Sequence, residues 1–233
     1  MKPGHIKRQF LGPLTVSVIA LLSVFFGGIY WLQKTTLEQA VLGRTRAVAD
    51  LYSAELRGDA DRMKALLELV AGNPKLKGAF EARTRDKLLA LARPVYRKFQ
   101  ATTPVTHFNF TGPQRVNFLR VQQPARHGDT IGRHTSLEAE ATQNIATGVE
   151  LAPLGTFTLR VVRPWYDGRG KLLGYLELGE EVDHIVAKLR RIMGVDLVVL
   201  IDKKMMDRAT YKHGMKLMGR PDEWERLSHT LIL

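Results

Sequence analysis

The chain reads as an α+β domain carried on one N-terminal membrane helix. Three observations predict that class. An apolar run from Leu11 to Leu32 contains no Asp, Glu, Lys, Arg or His. Residues 34–105 repeat apolar positions at helical spacing. From residue 106 the pattern turns into short alternating runs set off by glycine and proline, the signature of strands and tight turns.

The apolar run is as long as a helix needs to cross a bilayer core, about 20 residues. Lys2, Lys7 and Arg8 precede it with no acid to offset them. Cytoplasmic flanks collect Lys and Arg, so the N-terminus stays inside and the rest is exported. Tyr30 and Trp31 close the run, where amphipathic rings favour the headgroup layer. The rival reading is a cleaved signal peptide. Its apolar core is shorter, about 7–15 residues, and small residues follow it. Here GGIYWLQKTTLEQA follows, bulky and polar. The expected organisation is a cytoplasmic tail at 1–10, a transmembrane helix at 11–32, a helical extracytoplasmic region at 33–105, a sheet module at 106–194, and a further segment at 195–233.

Leu37, Val41, Val48, Leu51, Leu66 and Leu69 predict a long helix over 34–72. Asn73-Pro74 stops it. A second helix is predicted from about Gly78 to Gln100, with Pro94 kinking or restarting it. These helices carry no chemistry of their own. They cover a sheet or pair in a dimer. Residues 106–110 and 116–121 form a hairpin across Gly112-Pro113. Residues 125–136 are a polar loop, and 137–145 a short helix. Strands follow at 148–151, 156–166 and 172–178, parted by turns at Pro153–Gly155 and Asp167–Gly170. Val182–Met193 is a helix with Gly194 as its C-cap. Val195–Ile201 is a strand, Met205–Met218 a helix, and Thr230–Leu233 strand-like.

Composition narrows the function classes. There is no cysteine, which excludes disulfides, thiolate metal sites and thiol catalysis. Apolar residues make up 45% and charged residues 25%, so a packed core is expected. The net charge is +12, and removing the three cations before the apolar run leaves +9 for the exported part. Outside the membrane such a charge favours anionic headgroups or an anionic small ligand over nucleic acid. G-x-S-x-G, H-E-x-x-H, the P-loop and G-x-G-x-x-G are all missing. No catalytic residue, cofactor or metal is expected.

Six ordered motifs are His107–Phe110, Phe118–Arg120, Pro124–Asp129, Gly148–Glu150, Arg160–Pro164 and Gly174–Gly179. Together they resemble the double-Cache sensory domains found outside the membrane in bacterial chemoreceptors, sensor histidine kinases and diguanylate cyclases. The resemblance covers about 106–183. It implies a PAS-like fold: a central antiparallel sheet, a long N-terminal helix, and a ligand pocket between sheet and loops. It also implies a second module, a second span and an output domain. On that expectation 195–233 is the start of a second, truncated module, and the chain is a fragment of a longer receptor.

Against that fold, Arg120 and Arg163 stand out because they interrupt apolar strands. Arg120 lies two residues from Phe118 and should share its face, whereas Arg163 and Arg160 should face opposite ways. With Tyr166 beside it, such an arginine suits an organic acid. The alternative is structural: either arginine pairs with Glu150 or Glu177. The loop holding His127, Asp129, Arg133 and His134 is a lid gripping a ligand, or a capped surface turn. His107 is a ligand contact or a hydrogen-bonded core histidine. The spacing of His107, His127 and His134 does not support a metal site. The function read from the sequence is a sensory module in the cytoplasmic (inner) membrane, single-pass, with most of the chain periplasmic. It binds a small, anionic organic molecule for transmembrane signalling. The alternative is an exported envelope binding or scaffold protein with a vestigial pocket. The N-terminal helices offer a homodimer contact.

Overall fold

The computed structural model describes residues 4–152, 155–217, 219 and 221–232. Met1–Pro3 of the expected tail, Pro153 and Leu154 of the expected turn, and Leu233 lie outside the described residues. The chain divides into two units, up to Leu51 and from Tyr52 onward. Helix α1 spans Gly4–Ala71. From Leu11 to Leu32 its side chains are exposed; Leu21 and Val24 are 71% and 76% exposed. Among the described residues it is the one helix long and apolar enough to cross a membrane.

In the second unit α1 ends at Ala71, and Asn73 starts α2 (Pro74–Glu81). The Asn73 side chain accepts the orphan N–H groups of Lys75 and Leu76 at 3.0 and 3.2 Å, and Pro74 needs no donor at N1. Helix α3 spans Arg85–Thr102. The single helix expected over 78–100 is therefore two, broken at Arg83, whose φ is 52°. Pro94 sits inside α3 without ending it. One face of α3 buries Leu88, Ala92, Tyr96 and Phe99, the spacing of an amphipathic helix.

The sheet holds β1 (Val105–Thr111), β2 (Asn117–Arg120), β3 (Ala146–Leu151), β4 (Phe157–Tyr166) and β5 (Leu172–Glu181), in the order β2-β1-β5-β4-β3. Every pairing is antiparallel. Helix α4 (His134–Thr142) covers one face, where Ala139, Ala146, Val162 and Tyr175 form a small core. The other face carries Phe108, Phe110, Leu176, Leu178 and Trp165, all buried. Phe80 of α2 lies 6.1 Å from Phe110 and 5.2 Å from Trp165, ring to ring. Tyr96 and Phe99 of α3 lie 6.5 and 6.0 Å from Phe108. Each such pair adds about 0.5–1.5 kcal/mol beyond its buried area.

Helix α5 (Asp183–Met193) follows β5 directly and ends on Gly194 at φ 60°, the C-cap its sequence predicts. The expected strand over 195–201 shrinks to β6 (Leu200–Asp202), paired with β7 (Thr230–Ile232). Residues 195–199 pair with no strand among the described residues, and Val198 stays 64% exposed. The expected helix over 205–218 begins later, as α6 (Arg208–Leu217). Asp207 sets that start by accepting the N–H of Thr210 at 2.8 Å. Ile201, Tyr211, Met215 and Leu231 form a cluster that leans on Leu151 and Phe157 at the ends of β3 and β4.

Candidate functional site

The face of the sheet under α4 carries charge where the other face carries rings. Glu177, fully buried on β5, stands at its centre. It accepts from Arg160 Nη1 at 2.6 Å, Arg133 Nη2 at 2.5 Å and Asn109 Nδ2 at 3.1 Å. Asn109 is held in turn by Gln122 Nε2 at 2.9 Å. Strand register explains the convergence. Asn109 is level with Glu177 across β1–β5, and Arg160 sits diagonally from it across β4–β5. Glu150 on β3 closes the set from the far side. Its Oε2 is 3.3 Å from Arg160 Nε and 3.5 Å from Arg133 Nε. Its Oε1 accepts both the N–H and the hydroxyl of Thr135 at 2.7 and 2.8 Å, tying down the start of α4.

Two guanidinium and two carboxylate groups thus neutralise one another in the interior. Burial alone would raise the Glu177 carboxyl, but Arg133 and Arg160 outweigh it and hold it below the usual range. Burial lowers Arg160 against the pull of Glu177. His107, beside this set, is pushed down to about 4 by burial and by the positive charge of Arg160, so it is neutral at pH 7. Its Nδ1 meets the Thr106 hydroxyl at 2.8 Å.

Arg120 faces the same side, level with Asn109. It grips Asp129 with two bonds of 2.6 and 2.7 Å and donates to the Arg126 carbonyl at 2.9 Å. Its partner is neither Glu150 nor Glu177. The fork holds the Asp129 carboxyl down to about 2. Gly128 at φ 86° lets the loop turn back, and its N–H reaches the Asn117 carbonyl at 2.8 Å. His127 at the tip is exposed. Phe118 does not share the face of Arg120 as alternation implied. It is the extra residue of a bulge opposite Phe110 and Thr111 and packs 5.4 Å from Phe80 on the helix side.

Arg163 and Arg160 face opposite ways, as their spacing predicts. Arg163 leaves the charged face and pairs with Glu68 of α1 at 2.5 Å. Tyr166 stays under α4, its hydroxyl 2.9 Å from Gln143 Oε1, beyond the charged set. Arg133 precedes α4 and is 28% exposed at its side chain, the most open member of the set. The structure therefore brings His107 and Arg133 together with Arg160, Glu177 and Glu150. It puts Arg120, Asp129 and His127 in the neighbouring loop, and sends Arg163 elsewhere. The sequence picks out neither Arg160 nor Glu177 as a ligand contact; Glu177 enters there only as a pairing partner. The available signal was that both interrupt apolar strands with the parity of a single face. A cavity of about 380 Å³ lies apart from all of these, lined by Phe157, Val182, Val186, Ala187, Arg190 and Val199.

Residues 45–221 match the family described as the double sensory domain of two-component sensor kinases. The chain belongs to this family. No curated protein matches by sequence. Among solved structures, the sensor domain of Escherichia coli DcuS is similar at 18% identity and a TM-score of 0.50, with 58% of this chain covering 97% of that one. The sensor domain of the Vibrio cholerae histidine kinase DctB is similar at 10% identity and a TM-score of 0.55, over 70% of this chain and 64% of that one. A domain of a sensory box/GGDEF family protein from Vibrio parahaemolyticus is similar at 14% identity and a TM-score of 0.50, over 81% and 82%. At these identities the likeness establishes the fold.

The glycines of this double sensory domain have physical reasons. Gly179 lies between His107 and Arg160, where an added Cβ would come within 3.3 Å of Arg160 Nη1 and of the His107 Cβ. It leaves the room in which the guanidinium reaches Glu177. Gly148 gives the same clearance to Thr135, whose Cγ2 would lie 3.1 Å from a Cβ there.

Proposed function

We propose that this double sensory domain is a single-pass, inner-membrane protein whose periplasmic part binds a small anionic molecule for transmembrane signalling. It acts by binding, without catalysing a reaction. The observation that carries the reading is Arg133. It reaches into a buried charged set from the loop before α4 and keeps part of its surface open to water. Its Nε has no hydrogen-bond partner among the described residues. A ligand carboxylate competes there with Glu150, which Arg133 meets at 3.5 Å, while Glu177 keeps Arg160. His107, neutral and polar, and the Arg120–Asp129 loop border the same face; Tyr166 lies further along it. A ligand that displaces the 133–135 segment moves α4 through Thr135. Signalling partners, a homodimer through the N-terminal helices, and a second module begun by residues 195–233 belong to the same proposal.

One observation favours the second reading, an envelope scaffold with a vestigial pocket. Arg120 and Arg163 already have carboxylate partners, Asp129 and Glu68. The experiment is a thermal-shift screen of the full chain in detergent against organic acids, amino acids and amines, repeated with Arg133→Ala. Stabilisation by a carboxylate that the variant loses by tenfold or more in affinity supports sensing. No stabilisation by any compound in the screen supports the scaffold.

A further inference from the structure

Glu180 closes β5 on the face opposite Glu177, and its side chain is fully buried. Neither of its carboxylate oxygens has a hydrogen-bond partner among the described residues. A carboxylate in that position persists only if it takes up a proton or meets a cation. Two further groups converge on it, Asp59 of α1 and His184 of α5. One ligating atom from each lies within 4.8 Å of the others. Asp59 is 5% exposed.

The ring of His184 has a fixed orientation. Its Nδ1 is 2.7 Å from the Glu181 carbonyl oxygen. A carbonyl only accepts, so Nδ1 carries the hydrogen. Nε2 then points at Asp59 Oδ2 at 2.8 Å and at Glu180 Oε1 at 3.9 Å. A carboxylate also only accepts, so at 2.8 Å a proton lies between Nε2 and Asp59 Oδ2. A metal ion would replace that proton, and three ligating atoms would then converge on it. A metal-bound histidine usually gives its other N–H to a carbonyl or carboxylate, which is the arrangement here.

We infer that Asp59, Glu180 and His184 form a binding site for a divalent first-row metal ion, a site distinct from the charged face under α4. One nitrogen and two carboxylate oxygens suit zinc, with a fourth position left for water. His184 is 35% exposed at its side chain, which leaves an entry path from solvent. Arg62 is the built-in competitor. It pairs with Asp59 through Oδ1, leaving Oδ2 to the site. Being 41% exposed at its side chain, it can swing out. The metal would join α1 to the β5–α5 corner, next to the 2.7 Å pair of Glu55 and Lys188.

The test uses the full chain in detergent, stripped with EDTA and titrated with Zn²⁺, with Co²⁺ as a spectroscopic probe. At a hundredfold excess over Kd, Zn²⁺ should raise Tm by about 5–10 °C. Co²⁺ should give visible d–d bands. Both signals should be lost in Glu180→Gln, which keeps the side chain's volume, and in His184→Gln. Arg62→Ala should bind Zn²⁺ more tightly, because the competing cation is gone. A Tm unmoved by Zn²⁺, Co²⁺ and Mn²⁺ overturns the site. So does a response that persists in both Glu180→Gln and His184→Gln. A His184 ring shown by NMR to be doubly protonated at pH 7.5 and indifferent to Zn²⁺ overturns it as well, assigning the ring to a plain ion pair with Asp59.

Discussion

Glu177 shows what one residue can hold together. It serves Arg133, Arg160 and Asn109 at once from a position without solvent. Glu177→Gln removes the charge and keeps the size, leaving two guanidinium groups to share Glu150. The expected loss is about 3–5 kcal/mol, the usual result of stripping a buried ion pair of one partner, measured by urea unfolding. His107 gives a pH signature. Its folded pKa is about 4 against an ordinary 6.5. Between those values the unfolded chain holds more protons, so stability falls as pH drops from 6.5 towards 4. Above 6.5 the ring is neutral in both states and adds no slope. The full effect is about 3 kcal/mol. His107→Gln should flatten the Tm profile over that window; an unchanged slope would assign the acid sensitivity to other groups.

At the scale of elements the sheet depends on close backbone approach. Gly174 in β5 has φ 151°, and an added Cβ would fall 2.0 Å from the Thr111 carbonyl oxygen. Gly174→Ala must force β1 and β5 apart at that end. A cost on the order of 2–4 kcal/mol is expected, read as a lower denaturation midpoint. The five strands, α1, α5 and the Gly194 cap could be read from local periodicity and turn residues, because those signals are written within a few neighbouring positions. The break at Arg83 could not. It depends on Phe80 docking against Trp165 and Phe118, a tertiary contact that outweighs the helical pattern running through 78–100. The bulge at Phe118 was hidden for a similar reason. Alternation fixes a face only while the register holds. Arg133 stands out within a polar loop, but its partners Glu150 and Glu177 lie 17 and 44 residues further along. Which carboxylate meets which arginine is decided by strand order, and no spacing records that.

For the whole molecule, the sheet module and the segment after it differ in how they are built. The module packs helices on one face and α4 on the other. Among the described residues, the segment from 195 has a two-stranded sheet, a short 3-10 turn, one α-helix and a cluster of four buried residues. Val198 and Leu200 remain 64% and 56% exposed. Limited proteolysis in detergent should therefore cut within 195–230 first, while 52–193 survives. Equal resistance would mean that the small cluster is enough. If the apolar stretch of α1 is a membrane anchor as proposed, a reporter fused after residue 100 should be active only where it needs export, and the mature protein should keep Leu11–Leu32. An N-terminus found at 33–41 would mean a cleaved leader.

Trp165 donates its indole N–H to the carbonyl of Ala71, the last residue of α1, at 3.1 Å, and is 2% exposed. That bond makes the ring an optical gauge of the helix end. With Trp31→Phe and Trp224→Phe, a single indole remains in the chain. Its emission should be blue-shifted and resistant to iodide at rest. Any stimulus that draws α1 away from the sheet must break the bond and wet the ring. The resulting red shift would turn a mechanical event into a colour change, timed on a stopped-flow instrument without attaching a dye.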